Sequence, residues 1–250
     1  MRSGTTLLQR VLSTHGAIGL FKGELRALMW PQEPGWSHAG RVLFHLLKEP
    51  VWRRPVDFRR EVYRYLHAFL KSNGVWRRPG YEGIRQAFEL TLAAPENMYV
   101  GDKHPQYLQH ISELSEQSGV RCITVLRDPR GVVSSLLRTI HEGYWKGKSW
   151  TRAYATLEQC CEYWNREAQT VLQLRKSRGN SHLVMYNEFV NQPLEVLHEL
   201  AAFLDLDVAD FDFAEVHTRS IGRYHHYLSA QQIAEVEERT GEFMSAFGFD

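Results

Sequence analysis

Short apolar runs alternate with longer segments of helical periodicity along most of this chain. Apolar runs rich in β-branched and aromatic residues predict strands at 17–21, 98–100, 122–126 and 183–186. Apolar residues spaced three or four apart predict helices at 3–12, 107–117, 131–137, 151–175, 194–204 and 229–247. Strands that alternate with long helices are typical of an α/β fold, in which helices cover both faces of a parallel sheet.

The region between 36 and 95 differs from the rest because helical patterns dominate it and prolines interrupt them. It shows no linker, so we expect one domain over residues 1–250 with a helical insertion at 36–95. The sequence VWRRP occurs in it twice, at 51–55 and at 75–79. Two interpretations remain open: helix-flanking turns with exposed arginines, or an aromatic and basic lid over an anionic acceptor.

Composition excludes several classes of protein. A chain of 250 residues that is 43% hydrophobic and 24% charged is able to bury a sizeable core, which excludes a disordered protein. Thirty basic residues against 29 acidic ones give a net charge of +1, so no overall field attracts nucleic acid or an anionic membrane. Three cysteines are too few for a disulfide framework and favour a reducing, cytoplasmic location. No apolar run is long enough to span a membrane, and no signal peptide is visible.

The start of the chain carries the strongest local signal, the run Arg2-Ser3-Gly4-Thr5-Thr6 entering a helix. Backbone N–H groups at a helix N-terminus favour an anion, glycine permits its close approach, and the hydroxyls add donors. The run therefore predicts a phosphate cradle; the alternative is an ordinary helix cap. Thr5 stands where the loop of nucleotide triphosphatases has a lysine, and the sequence shows no obvious acidic strand end for Mg²⁺. A sulfuryl group carries less charge than a phosphoryl group and fits this cradle better.

Two motifs together resemble those of the sulfotransferase family, whose members transfer a sulfuryl group from PAPS (3′-phosphoadenosine 5′-phosphosulfate). The run RSGTTLL at 2–8 is similar to the 5′-phosphosulfate loop of these enzymes. The run RDPRGVVSS at 127–135 resembles their 3′-phosphate motif, a strand-end arginine followed eight positions later by a serine. Arg127 and Ser135 are then expected to hold one phosphate through charge-assisted hydrogen bonds.

Two further segments follow in the order of the family. The run from Tyr186 to Pro193 resembles a segment whose tyrosine lies near the adenine, although Asn187 and Phe189 depart from the pattern. The run RSIGRY at 219–224 resembles an element of bacterial and tyrosylprotein-type members that closes over the cofactor, which implicates Ser220 and Arg223. The resemblance implies a fold like that of the P-loop NTPases. The first strand of the family and the beginning of its loop are absent, which implies a gene start placed too late or an impaired fragment.

The resemblance also implies which residue acts as the general base. A glutamate about as far past the loop as Glu24 is the general base in tyrosylprotein-type members, which makes Glu24 the candidate base; otherwise it is a surface acid paired with Lys22 or Arg26. His104 is the rival, although it follows Lys103 by one position and not by the two of the cytosolic enzymes. Lys103 and Arg2 are the candidates to stabilise the leaving phosphate, with Ser220 adding a hydrogen bond.

The predicted function is sulfuryl transfer from PAPS to a hydroxyl acceptor by direct in-line displacement, without a metal. The acceptor is a peptide tyrosine, a sugar or a small metabolite. No histidine pair has the spacing of a metal site, and Cys160 and Cys161 are expected to be buried in a helix. Two other classes stay open: a P-loop kinase-like phosphotransferase, and a non-catalytic protein that binds PAP, the desulfated product.

Overall fold

The structure is a computed structural model of the chain, and it describes residues 3–25, 27–29, 56–73, 80–92, 99–143, 149–176 and 180–249. Its α-helices in these ranges are α1 (Thr5–Leu12), α2 (Val56–Asn73), α3 (Tyr81–Leu92), α4 (Ile111–Ser115), α5 (Pro129–His141), α6 (Leu157–Lys176), α7 (Tyr186–Asn191), α8 (Pro193–Leu204) and α9 (Ala230–Phe247). The strands are β1 (Ile18–Leu20), β2 (Tyr99–Gly101), β3 (Cys122–Leu126) and β4 (Ser181–Met185). Short 3₁₀ helices occur at Ala27–Met29, Pro105–His110, Ser149–Tyr154, Val208–Asp210, Thr218–Ser220 and Arg223–His226.

The described strands pair in parallel. Ile18 lies opposite Tyr99 in the β1–β2 pair, and Cys122 lies opposite Ser181 in the β3–β4 pair. Every parallel pair needs a crossover, and helices supply the connections here. The predicted α/β fold is thereby confirmed, as two separate parallel pairs within the described residues.

The chain divides into two compact units. The first unit consists of Met1–Leu7, Ile111–Val208 and Phe213–Asp250, and the second of Leu8–His110 and Ala209–Asp212. The β3–β4 pair belongs to the first unit and the β1–β2 pair to the second. The expectation of one functional domain over residues 1–250 stays a prediction.

The second unit has its own aromatic core under helices α2 and α3. Apolar residues at helical spacing bury one face of each helix, and the Tyr65 ring packs 5.0 Å from that of Phe88 and 6.3 Å from that of Phe69. Phe21 and Leu25, which follow β1, are fully buried in the same cluster. This packing fixes the main chain that follows β1. Glu24, the candidate base, belongs to that segment.

Helices α5 and α9 of the first unit begin at side-chain caps. The Asp128 side chain accepts a hydrogen bond from the Arg130 N–H at the start of α5, where Pro129 occupies the first turn. Ser229 and Gln232 form a capping box on α9, which ends at the left-handed Gly248. Strand β3 therefore leads through a fixed turn into α5, and that turn carries Arg127.

Some predicted elements differ in kind or position. The helix predicted at 107–117 is the 3₁₀ helix Pro105–His110 followed by the short α4, and the one predicted from 151 becomes α-helical only at Leu157. Both VWRRP copies lie outside the described residues, as do Arg2 and Arg26. Within the described ranges, no helix combines the length and the apolar character required to cross a membrane.

Candidate active site

The predicted phosphate cradle forms the entry to α1. Gly4 has a φ of 96°, a left-handed conformation that favours glycine, and its carbonyl accepts the N–H of Leu7 at 3.0 Å. Ser3 is buried, whereas Thr5 and Thr6 are partly or fully exposed. Within the described part of the chain, none of these three hydroxyls has a hydrogen-bond partner. The entry to α1 therefore brings three hydroxyls to one helix N-terminus.

Tyr186 packs directly on this cradle. It is the first residue of α7, where β4 ends, and its side chain is 5% exposed. A Cβ placed on Gly4 would lie 2.2 Å from Cδ2 and Cε2 of the Tyr186 ring, so only glycine fits beneath it. The Tyr186 hydroxyl lies 2.7 Å from the Ser220 hydroxyl, within hydrogen-bond distance. Three of the four predicted motifs thus meet around one ring.

Arg127, from the predicted 3′-phosphate motif, also contacts the Tyr186 ring. Its guanidinium lies over the Tyr186 ring, 4.6 Å from the centroid, and Nη2 donates to the Ser220 carbonyl at 3.0 Å. It also lies against Gly131, where a Cβ would be 3.0 Å from Nε. Ser135 follows Gly131 by one turn of α5 and is on the same face of the helix. Arg127 thus precedes α5 and lies against its first turn, and Ser135 is one turn further along that helix.

A buried tryptophan, Trp164, holds the backbone at Arg127. The Trp164 indole N–H donates to the Arg127 carbonyl at 2.8 Å, and its side chain is 1% exposed. Its ring meets Phe249 edge to face with centroids 6.2 Å apart. A buried indole needs an acceptor for its N–H, and this need explains the hydrogen bond to Arg127. No sequence motif indicates which carbonyl accepts it.

Arg223, a predicted cofactor contact, lies with a different set of residues. Its Nη2 donates to the Tyr227 hydroxyl at 3.1 Å, and Arg138 Nη1 donates to the same oxygen at 3.4 Å. The Arg223 hydrogen bond lowers the pKa of Tyr227, and the charge of Arg138 acts in the same direction. The role of Arg223 in binding cofactor stays a prediction.

The second unit contains the candidate catalytic pair. Lys103 follows β2, and its Nζ donates to Glu24 Oε1; the Lys103 side chain is 19% exposed and that of Glu24 is 44% exposed. Glu24 is therefore an acid paired with Lys103, and its described contacts do not include the side chain of Lys22. The partial exposure of the carboxylate leaves it accessible to an acceptor.

His104 makes different contacts from Lys103. Its Nδ1 accepts the Gln106 N–H at 3.2 Å, and its ring meets that of Tyr107 edge to face at 5.8 Å. These contacts direct Nδ1 into the first turn of the 3₁₀ helix Pro105–His110. Of the two candidate bases, Glu24 is the one in contact with Lys103.

Two cysteines and one histidine that could in principle take part in chemistry are instead packed among other side chains. Cys160 and Cys161 are buried in α6, and burial raises the pKa of each thiol to about 12. His182 packs 5.3 Å from Phe203, and burial lowers its pKa. Among the described residues, no group of three or more His, Cys, Asp or Glu side chains is arranged to hold a metal ion.

Comparisons with known proteins agree on one family. Residues 1–210 match the sequence model of the sulfotransferase family. The chain is similar in structure to the sulfotransferase domain of the Synechococcus PCC 7002 olefin synthase, with 19% identity and a TM-score of 0.54 over 100% of this chain and 92% of that one. It is also similar to a sulfotransferase from Alicyclobacillus acidocaldarius, with 14% identity and a TM-score of 0.56 over 98% and 89%. No curated protein matches it significantly in sequence.

Proposed function

This chain belongs to the sulfotransferase family, and on that premise we propose that it transfers a sulfuryl group from PAPS to a hydroxyl acceptor. The observation that carries the proposal is the contact of Gly4, Arg127 and Ser220 with one ring, that of Tyr186. These residues come from four segments that are far apart in the sequence. Each segment was assigned to the same nucleotide from its own motif, so their meeting supports that ligand.

The residues of the first unit fit an anionic nucleotide. The cradle at Ser3–Thr6 offers hydroxyl and N–H donors to the 5′-phosphosulfate. Arg127 and Ser135 are assigned to the 3′-phosphate, because a guanidinium at a strand end and a hydroxyl in the helix that follows can both donate charge-assisted hydrogen bonds. The family resemblance assigns Tyr186 to the vicinity of the adenine; its ring packs against Gly4 and the Arg127 guanidinium. Arg2 and Arg223 are assigned to the same ligand by the family resemblance.

The Glu24–Lys103 pair is assigned to the chemistry. In the reaction, an S–O bond forms to the acceptor oxygen while the bridging S–O bond breaks, which leaves PAP. Glu24 takes the proton of the acceptor hydroxyl, and the hydroxyl oxygen thereby becomes a better nucleophile. Lys103 then directs its charge to the bridging oxygen as negative charge develops there. The transfer is direct, with no covalent intermediate on the protein.

Three measurements test this proposal. Calorimetry with PAP should show one site per chain. Radiolabelled PAPS should then label one of three acceptor probes: p-nitrophenol, a tyrosine-containing peptide or glucosamine. Glu24→Gln and Lys103→Ala should each lower kcat by about 100-fold or more, with PAP affinity retained.

Three outcomes would contradict it. Absence of heat with PAP would exclude the nucleotide assignment. Binding of PAP without transfer to any probe or to a lysate of the source cells would favour a non-catalytic PAP-binding protein. Magnesium-dependent ATP hydrolysis without PAP affinity would favour a phosphotransferase.

A further inference from the structure

The main chain on either side of Glu24 is held by side chains and not by a regular sheet. Phe21 N–H still donates to the Gly101 carbonyl at 2.8 Å, which extends the β1–β2 pairing by one residue. Beyond it, the Lys22 N–H donates to Glu61 Oε2 at 2.9 Å and the Leu25 N–H donates to Asp102 Oδ2 at 3.0 Å. The position of Glu24 therefore depends on acceptors that other segments supply.

Asp102 serves two of these contacts at once. Its second oxygen, Oδ1, accepts the Tyr107 hydroxyl at 2.5 Å, and that hydroxyl in turn accepts the Leu28 N–H at 3.3 Å. Burial, and next the negative charge of Asp102, raise the pKa of Tyr107, so the phenol remains a donor over the working pH range. One carboxylate thus fixes Leu25 directly and Leu28 through Tyr107.

Two consecutive residues that follow β2 bind two consecutive residues of the segment that follows β1. Lys103 pairs with the Glu24 side chain, and Asp102 binds the N–H of Leu25. The Leu25 side chain is fully buried, so the main chain at Leu25 is fixed from both sides. Glu24 thus carries two restraints, one on its carboxylate and one on the N–H of the residue that follows it.

We propose that Asp102 is a positioning residue that fixes the Glu24 carboxylate opposite Lys103. The inference rests on the proposed function, in which Glu24 is the base. Asp102 acts through the backbone of Leu25 and the hydroxyl of Tyr107. Its loss should therefore lower the rate of proton removal without changing nucleotide affinity, because the base is no longer held in reacting geometry.

The experiment compares Asp102→Asn with the parent chain by hydrogen exchange and by kinetics. An asparagine oxygen accepts from one donor, and its amide group is unable to accept from the other. We expect amide exchange at Leu25 or Leu28 to accelerate by about tenfold or more, and kcat to fall by up to about 100-fold, with PAP affinity within about twofold. Asp210→Asn is the matched control, an acid of the same unit whose side chain is 65% exposed.

A double variant separates positioning from general stability. If Asp102 acts through Glu24, then Asp102→Asn should change the rate of a Glu24→Gln chain by less than about twofold. The same fold loss in both backgrounds would overturn the inference, as would unchanged exchange at both Leu25 and Leu28. Should Asp102→Asn fail to fold, Tyr107→Phe tests the same path: exchange at Leu28 should accelerate, and an unchanged rate there would overturn the inference.

The exchange measurement also distinguishes the two proposals. If the parent chain transfers nothing from PAPS, the proposed function fails. Unaltered exchange at Leu25 and Leu28 in Asp102→Asn would instead reject the positioning contact in a chain that still transfers sulfuryl groups.

Discussion

The Tyr186 ring covers Gly4 so closely that any side chain at position 4 would overlap its Cδ2 and Cε2 atoms, at 2.2 Å from a Cβ. The loop at the start of α1 and the residue that begins α7 are therefore fitted to each other. Because Gly4 also has a left-handed φ of 96°, a substitution there meets steric overlap and backbone strain together.

Gly4→Ala should consequently weaken both the fold and the nucleotide site. We expect a loss of about 1–3 kcal/mol in the free energy of unfolding, and a fall in PAP affinity of at least about tenfold. Urea denaturation and calorimetry measure the two effects. Gly16→Ala is the control, because a Cβ at Gly16 has no neighbour within 4 Å. Parental stability and affinity in Gly4→Ala would contradict the described contact.

Arg127 should determine recognition of the 3′-phosphate in particular. Arg127→Ala should lower the affinity for PAP by about 10- to 100-fold, because a charge-assisted hydrogen bond contributes about 1.5–3 kcal/mol. Affinity for AMP, which lacks that phosphate, should fall much less. Arg166→Ala is the control, an arginine of the same unit that is 64% exposed and pairs only loosely with Glu162 at 3.9 Å. An equal loss for both nucleotides would place Arg127 elsewhere on the ligand.

Arg130 should be a structural residue although it belongs to the same motif. Its guanidinium donates to Asp128, to Glu237 on α9 and to the Phe249 carbonyl at 2.8–2.9 Å. The hydrogen bond with Asp128 is the largest cause that raises the pKa of Arg130. Arg130→Ala removes the counter-charge of the buried Asp128 and leaves its carboxylate with the backbone N–H of residue 130, so we expect a loss of about 3 kcal/mol or more in the free energy of unfolding.

Arg239 provides the matched control for Arg130. It pairs with Glu235 on its own helix and with Glu158 on α6, at 2.9 Å each, but these pairs lie at the surface. Arg239→Ala should therefore cost much less stability than Arg130→Ala in the same urea titration. Equal losses in the free energy of unfolding would show that the buried Asp128 carboxylate does not depend on the Arg130 guanidinium.

Stability should decrease in alkaline solution because of the buried thiols. Burial raises the pKa of Cys160 and Cys161 from 9.0 to about 12, and that of Cys122 to about 11. As pH rises above about 9, the unfolded chain releases these protons first, so the free energy of unfolding falls from there towards pH 11. Below about pH 8 the full contribution is present.

Urea titrations from pH 7 to pH 11 measure this decrease, and Cys161→Ala should reduce its slope. At pH 8 the native thiols should not react with a disulfide reagent, whereas the chain in urea should react at three sites. Constant stability up to pH 11, or rapid labelling of the native protein, would contradict the burial of these residues.

The sequence predicted those features that are local. The five residues of β3 were predicted in full, because a β-branched run between charged turns specifies a strand without help from the rest of the chain. Helix α9 was predicted to its last residue, because Ser229 and Gly248 are strong caps. Motif spacing similarly placed Arg127 at a strand end, with Ser135 in the following helix.

The sequence did not predict which distant side chains would meet. Glu24 and Lys103 are 79 positions apart, and no local pattern indicates that they pair. Asp102 was overlooked because an acid beside a lysine usually marks a solvated turn, whereas here its oxygens satisfy backbone and phenol donors. The 3₁₀ turn before α4 was also missed, although His104 shapes it through local contacts: its Nδ1 accepts the Gln106 N–H and its carbonyl accepts the Tyr107 N–H.

The indole of Trp164 provides an optical probe of this chain. Its emission is sensitive to polarity and to hydrogen bonding of the ring nitrogen, and that nitrogen is bound to the backbone of the residue assigned to the 3′-phosphate. The difference in fluorescence between the parent and Trp164→Phe therefore isolates one signal among seven tryptophans. Nucleotide titrations followed in this way require neither a label nor knowledge of the acceptor.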